Sequence, residues 1–104
     1  MQDENIIAAD QCQSMAEVRA GVDALDRELV MLLARRFAYM RAAARIKPAR
    51  DMVRDEARKA KVIANARAGA VRLGVPEDAV GEMWEQLVEA SIAYELAAFD
   101  GRDG

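Results

Sequence analysis

Apolar side chains recur every three or four residues along this chain, from residue 14 almost to its end. That spacing places them on one face of a helix, whereas a strand would require alternation at every second residue. Strong helix breakers occur at Pro48 and between Gly74 and Pro76. The pattern therefore predicts an all-α fold made of three helices.

The first predicted helix is the longest element. Ser14 followed by Glu17 is a capping-box sequence, with Ser14 as N-cap and Glu17 returning to the amide of Ser14. Because no breaker follows before Pro48, the helix would extend over about 50 Å. Its apolar face consists of Val18, Val22, Leu25, Leu29, Leu32, Leu33, Met40 and Ala43.

Two shorter helices are predicted to follow. The second runs from about Asp55 to Leu73 with Gly74 as its C-cap, and Pro76 opens the third. The side chains predicted to face inward are Val62, Ala66, Gly69 and Leu73 in the second helix, and Val80, Trp84, Leu87, Val88, Ala98 and Phe99 in the third.

The unequal helix lengths predict a dimer. A helix this long has more apolar surface than two shorter helices of the same chain can cover, so we expect an intertwined homodimer. The 104 residues make one helical domain over residues 14–99, with a disordered arm at 1–13 and a flexible tail at 100–104.

Composition narrows the possible functions. The net charge of −3, from 15 basic and 18 acidic residues, provides no basic field for nucleic acid or an anionic membrane. Without histidine, His-containing triads and His-dependent zinc sites are excluded, and Cys12 has neither a disulfide partner nor a histidine to activate it. The acidic segment "MQDENIIAAD" differs from a signal peptide, so we expect a cytoplasmic protein without membrane partners.

Two cations lie where the helical pattern calls for apolar residues. The segment "RRFAYMRAAARIK" contains five cations and no carboxylate. At about 100° per residue, Arg36 and Lys47 fall on nearly the same line in the middle of the apolar face. Arg41 and Arg45 point the opposite way and Arg35 lies at the margin, so these three are predicted to be solvated. Burying Arg36 or Lys47 is costly without a negative partner.

The third helix has a carboxyl group on its apolar face. Glu95 lies eleven residues after Trp84 and four after Ser91, which places all three at the centre of that face. One interpretation is an internal salt bridge from Glu95 to Lys47 or Arg36.

A bound dianion is the other interpretation. Arg58 is predicted to face inward on the second helix, so Arg36, Lys47 and Arg58 together oppose the single carboxyl group of Glu95. A small dicarboxylate would neutralise the two excess positive charges, and arginine forks suit carboxylates.

Arg19 lies too far from Arg36 for both to hold one small ligand within a single chain. Seventeen residues of straight helix separate them by roughly 25 Å. In a two-fold dimer, Arg19 of one subunit would complete the pocket of the other. The alternative is an exposed ion pair between Arg19 and Asp23, one helical turn away.

These residues carry a family resemblance. The pattern "VRAGVDALDRELVMLLARR", then a lysine, then "VRDEAR" and "EASIAYE", resembles the all-helical (type II) chorismate mutases over residues 14–99. The segment "ARRFAYMRAAARIK" is also similar to the isochorismate-pyruvate lyases, close relatives that release pyruvate and salicylate. The resemblance implies an intertwined dimer that converts chorismate to prephenate in aromatic amino-acid biosynthesis, without cofactor, metal or covalent intermediate.

The resemblance also assigns roles to the inward charges. It implies that Arg36 and Arg58 bind substrate carboxylates and that Arg19 enters the partner subunit's pocket. Lys47 would contact the ether oxygen and a neighbouring carboxylate. As the carbon–oxygen bond stretches, this oxygen gains negative charge, and fixed donors stabilise the transition state more than the substrate.

Four further residues receive roles in the same way. Asp55 would contact the substrate hydroxyl, and Ser91 would line the pocket. Glu95 occupies the position of a side chain that donates a hydrogen bond to the ether oxygen, where glutamine is common. Because an ionised carboxylate cannot donate, we expect turnover to rise toward mildly acidic pH and Glu95→Gln to flatten the profile. Lys59, where many mutases have glutamate, is either a solvated surface charge or a determinant of which isomer binds.

Three functions are consistent with these features. Chorismate mutase is favoured, because "VRDEAR" and "EASIAYE" look more like mutases than lyases. The alternatives are an isochorismate-pyruvate lyase and a non-catalytic helical dimer that serves as an interaction module.

Overall fold

The computed structural model describes residues 6–102, and in this range every regular element is helical. The three predicted helices are present, and the first is the longest. Their bounds are α1 Met15–Ile46, α2 Glu56–Leu73 and α3 Glu77–Gly101, with 3-10 helices at Ala9–Gln11 and Arg50–Met52. The all-α prediction and the long N-terminal helix are thereby confirmed. No helix of the described range is long and apolar enough to cross a membrane.

The start of α1 confirms half of the predicted capping box. The Oγ atom of Ser14 accepts a hydrogen bond from the Glu17 amide at 3.1 Å, as an N-cap should. The Glu17 carboxylate accepts instead from the amide of Gln13 at 2.7 Å, one residue before the predicted donor. Since the first N–H groups of a helix have no intrahelical partner, both contacts stabilise the start of α1.

Local signals also determine where the other helices begin and end. α1 stops at Ile46, because the proline at 48 disfavours helical geometry at Lys47. Asp55 is the N-cap of α2. Gly74 is the C-cap, with a φ of 74° in the left-handed region, as predicted.

We expect Gly74→Ala to lower the free energy of unfolding by about 1 kcal/mol, because a Cβ atom is disfavoured at positive φ. Urea unfolding at fixed protein concentration measures this change. Gly101→Ala is the control, since a Cβ there also meets open space and its φ is not positive. Equal losses of unfolding free energy in the two variants would show that the positive φ of Gly74 is not the cause.

The chain divides into two compact units after Arg36, and each is described by itself. In the first unit, the apolar side chains of α1 are exposed in the single chain. They are Met15, Val18, Val22, Leu25, Leu29, Val30, Met31, Leu32 and Leu33. Contiguous apolar exposure on this scale is typical of an interaction surface. The homodimer stays a prediction.

The second unit contains the core. Val53, Val88 and Ile92 are buried together, and the half-buried side chains packed on them are Val62, Ile63, Trp84, Leu96 and Phe99. At the end of α1, the Phe37 ring packs edge-on against Tyr94, with 4.8 Å between ring centroids. This unit therefore brings the end of α1 and the apolar faces of α2 and α3 together.

The buried face of α2 agrees with the predicted one only in part. Val62, predicted to face inward, packs on the core, and Ala66 and Gly69 are half-buried. Leu73, also predicted to face inward, is 76% exposed, and Arg58 is exposed as well. The prediction for this face is therefore wrong at Leu73 and Arg58.

The structure also differs from the prediction at both ends of the domain. Ala9–Gln11 form a 3-10 helix within the arm predicted to be disordered, and residues 1–5 lie outside the described range. α3 continues to Gly101 within the tail predicted to be flexible, where Asp100 contacts the segment after α1 and Arg102 contacts the end of α1. Residues 103–104 lie outside the described range as well.

Candidate active site

Lys47 and Glu95 form an ion pair in the second unit. The Lys47 Nζ atom lies 2.7 Å from Oε2 of Glu95, and the exposed fractions of the two side chains are 28% and 6%. Oε2 is buried without a partner in hydrogen-bond geometry, so the contact with the ammonium is electrostatic. The salt bridge predicted between Glu95 and Lys47 is therefore present, and Glu95 lies on the inward face of α3 as predicted.

Ser91 lies one turn before Glu95 and is also buried. Its Oγ atom donates a hydrogen bond to the Leu87 carbonyl at 2.7 Å. This bond satisfies the hydroxyl within its own helix, so the side chain is held in one orientation beside the carboxyl-bearing turn.

Asp55 and Arg58 are joined at the start of α2. Oδ1 of Asp55 accepts from the Arg58 amide at 3.0 Å, so this carboxylate has a capping role whatever else it binds. The Arg58 side chain is exposed, and its predicted inward orientation is wrong. It remains available to a ligand only from the solvent side.

Lys59 is largely buried and is paired with two carboxylates. Its side chain is 17% exposed, and Nζ lies 2.7 Å from Glu85 and 2.6 Å from Glu89. The interpretation as a solvated charge is therefore wrong. Lys59 joins α2 to two successive turns of α3, which accounts for its place on the buried face.

Arg19 and Arg36 lie in the first unit. Arg19 is exposed, and the structure describes no ion pair between it and Asp23, so that alternative is not observed in the described range. Arg36 is half-buried on α1, as its place in the apolar face predicts. Arg35, Arg41 and Arg45 are exposed, as predicted.

A charge network between α2 and α3 was not predicted. The Arg54 guanidinium donates to both carboxylate oxygens of Glu89, at 3.0 and 2.8 Å, and also to Glu56. Lys59 also donates to Glu89, through Nζ to Oε2 at 2.6 Å. The signal in the sequence is the spacing of Glu85 and Glu89, which puts two carboxylates on neighbouring turns of one helix.

This network predicts a stability difference that depends on pH. Hydrogen bonds from Arg54 and then Lys59 lower the pKa of Glu89 from 4.5 to about 2. A lowered folded-state pKa adds stability above pH 4.5, and this contribution is lost as pH falls from 4.5 toward about 2. We therefore expect wild type to exceed Glu89→Gln in free energy of unfolding at pH 7, and the difference to shrink over that window.

Urea unfolding of both proteins between pH 7 and pH 2 measures the difference. Glu82→Gln is the control, because it removes an exposed carboxylate of the same helix without touching Arg54 or Lys59. A wild-type advantage over Glu89→Gln that stays constant to pH 2 would contradict the assignment.

The arrangement around Lys47 suits the stabilisation of negative charge rather than proton abstraction. A partly exposed ammonium faces a buried carboxyl group. Within the described residues, no three Cys, Asp or Glu side chains are placed to hold a metal ion.

Comparison with known proteins identifies related sequences. The family model for type II chorismate mutases matches residues 18–96. An isochorismate pyruvate lyase from Pseudomonas aeruginosa is 25% identical over 87 residues, which cover 84% of this chain and 86% of that protein.

Proposed function

Because the chain belongs to the type II chorismate mutase family, we propose that it rearranges chorismate to prephenate without a cofactor. In this reaction an ether carbon–oxygen bond breaks as a carbon–carbon bond forms, and no atom is gained or lost. No general base is required, which agrees with a chain that has no histidine.

The ion pair between Lys47 and Glu95 is the observation that carries the proposal. It holds a partly exposed cation beside a buried carboxyl group. We propose that the ether oxygen of the substrate binds at this pair and gains negative charge there in the transition state. In the substrate complex Lys47 donates to that oxygen, and Glu95 donates to it when protonated. Water is largely excluded from Glu95, which strengthens both interactions.

Binding of the two carboxylates holds the substrate in its compact, reactive conformer. We assign Arg36 and Arg58 to this role, with Asp55 at the substrate hydroxyl and Ser91 as part of the pocket wall. Lys59, paired with two glutamates, affects substrate choice through the placement of α2.

The active protein is an intertwined homodimer with two sites, each completed by Arg19 of the other subunit. The exposed apolar side chains of α1 support this assembly, because an apolar face that extends over successive helical turns is typical of a surface buried against a partner. The exposed Arg19 lies on the same helix and is available to a second copy.

Isochorismate-pyruvate lyase activity is the second candidate. The similarity to the Pseudomonas aeruginosa enzyme over most of both chains favours it. Release of pyruvate from isochorismate also breaks an ether carbon–oxygen bond, so Lys47 would have the same task.

Product analysis separates the candidates. The purified protein is incubated separately with chorismate and with isochorismate, and the products are identified by chromatography and mass. We expect prephenate from chorismate at a rate far above the uncatalysed one. Salicylate and pyruvate from isochorismate, with little prephenate, would make the protein a lyase. No turnover of either substrate would refute both activities. The non-catalytic helical dimer would then be the remaining candidate.

A further inference from the structure

The end of α3 caps the end of α1. The Nη1 atom of Arg102 donates to the carbonyl oxygens of Ala44 and Lys47, each at 2.7 Å. The last carbonyls of a helix have no intrahelical donor, and a cation near them is also favoured by the helix dipole. The guanidinium itself is held over the Phe99 ring, 3.8 Å from its centroid. Arg102 is therefore a C-terminal cap supplied by another helix.

A second contact joins the same end of α3 to the segment after Lys47. Arg50 donates from Nε and Nη2 to the two carboxylate oxygens of Asp100, at 2.7 and 3.1 Å. Such a two-pronged pair restricts orientation as well as distance. The end of α3 thus holds the Lys47 carbonyl directly and the backbone again three residues later, at Arg50.

Lys47 needs such attachments because it lies just outside α1. Pro48 follows and has no N–H group, so the helical hydrogen-bond pattern cannot continue through this point. The long lysine side chain amplifies any backbone displacement at its ammonium, and small misplacements of catalytic groups are costly in rate.

We propose that Arg102 is a positioning residue for the reaction: by holding the Lys47 carbonyl, it places the Lys47 ammonium opposite Glu95 and the substrate oxygen. This inference rests on the proposed function. Arg102 contacts neither the ammonium nor Glu95, so its effect on rate is transmitted through the backbone of Lys47.

Kinetics of Arg102→Met test the proposal. We expect kcat on chorismate to fall about tenfold and KM to change less, because the arginines that bind the carboxylates are untouched. Arg102→Lys should recover most of the loss, since an ammonium can donate to both carbonyls. Arg45→Met is the matched control, because Arg45 is an exposed cation in the last turn of α1, and it should leave kcat unchanged. Wild-type kcat in Arg102→Met, or no recovery in Arg102→Lys, would overturn the proposal.

Amide hydrogen exchange provides a readout that needs no substrate. The Lys47 amide donates to a carbonyl in the last turn of α1 at 2.9 Å, and the amides of Met52 and Val53 donate to carbonyls of the segment after Lys47 at 3.1 Å. Their exchange should accelerate at least about tenfold in Arg102→Met and not in Arg45→Met. If wild type converts neither substrate, the proposed function fails, and exchange alone decides whether Arg102 holds the segment. Unchanged exchange would overturn the positioning role.

Discussion

Lys47→Met is expected to reduce kcat/KM on chorismate by about 10³-fold, because the fixed cation at the ether oxygen is lost. Methionine lacks the ammonium but covers about the same apolar surface as the lysine stem. Steady-state kinetics measure the loss, and both kcat and kcat/KM should fall, since the interaction strengthens in the transition state.

The loss has to be separated from simple destabilisation. Removing Lys47 leaves the Glu95 carboxylate buried beside an uncharged side chain, which should cost about 2 kcal/mol of stability. The double variant Lys47→Met/Glu95→Gln should regain that stability and stay inactive. Lys61→Met, at an exposed position of α2, is the control for charge. A double variant with near wild-type activity would show that Lys47 has only a structural role.

Glu95→Gln is expected to raise kcat/KM at pH 8 by about tenfold, because an amide donates a hydrogen bond where an ionised carboxylate cannot. Initial rates of both proteins at saturating and at low substrate measure the change.

A matched variant separates the effect of Glu95 from the general effect of removing a negative charge. Glu82→Gln removes one carboxylate from the exposed face of α3 and should retain the wild-type kcat/KM. An unchanged kcat/KM in Glu95→Gln would contradict the need for a hydrogen-bond donor at this position. An inactive Glu95→Gln variant would show instead that the ion pair with Lys47 is needed in its charged form.

Much of the candidate site was accessible from the sequence. The position of Glu95 on an otherwise apolar face predicted its burial. Arg36 and Lys47 fall on the apolar face of the first predicted helix, which predicted that neither would be fully solvated. These inferences succeed because helical periodicity assigns each residue to a face. The pattern left Lys47 and Arg36 open as partners of Glu95, and the structure brings Lys47 to 2.7 Å.

Arg58 and Lys59 show where periodicity is insufficient. Neighbouring residues of a helix point in directions about 100° apart around its axis. The rotation of α2 about that axis therefore decides which of the two faces α3. Glu85 and Glu89 stabilise the orientation with Lys59 inward. Those carboxylates lie on another helix, and no local signal on α2 reports them.

The sequence by itself determined the three helices and most of their ends, because Ser14, Asp55 and Gly74 act on backbone groups only a few residues away. Only the tertiary structure decided which charges meet and that Arg102 caps α1. Those contacts join residues far apart in the chain, so they depend on how the helices pack. Periodicity within each helix does not contain that information.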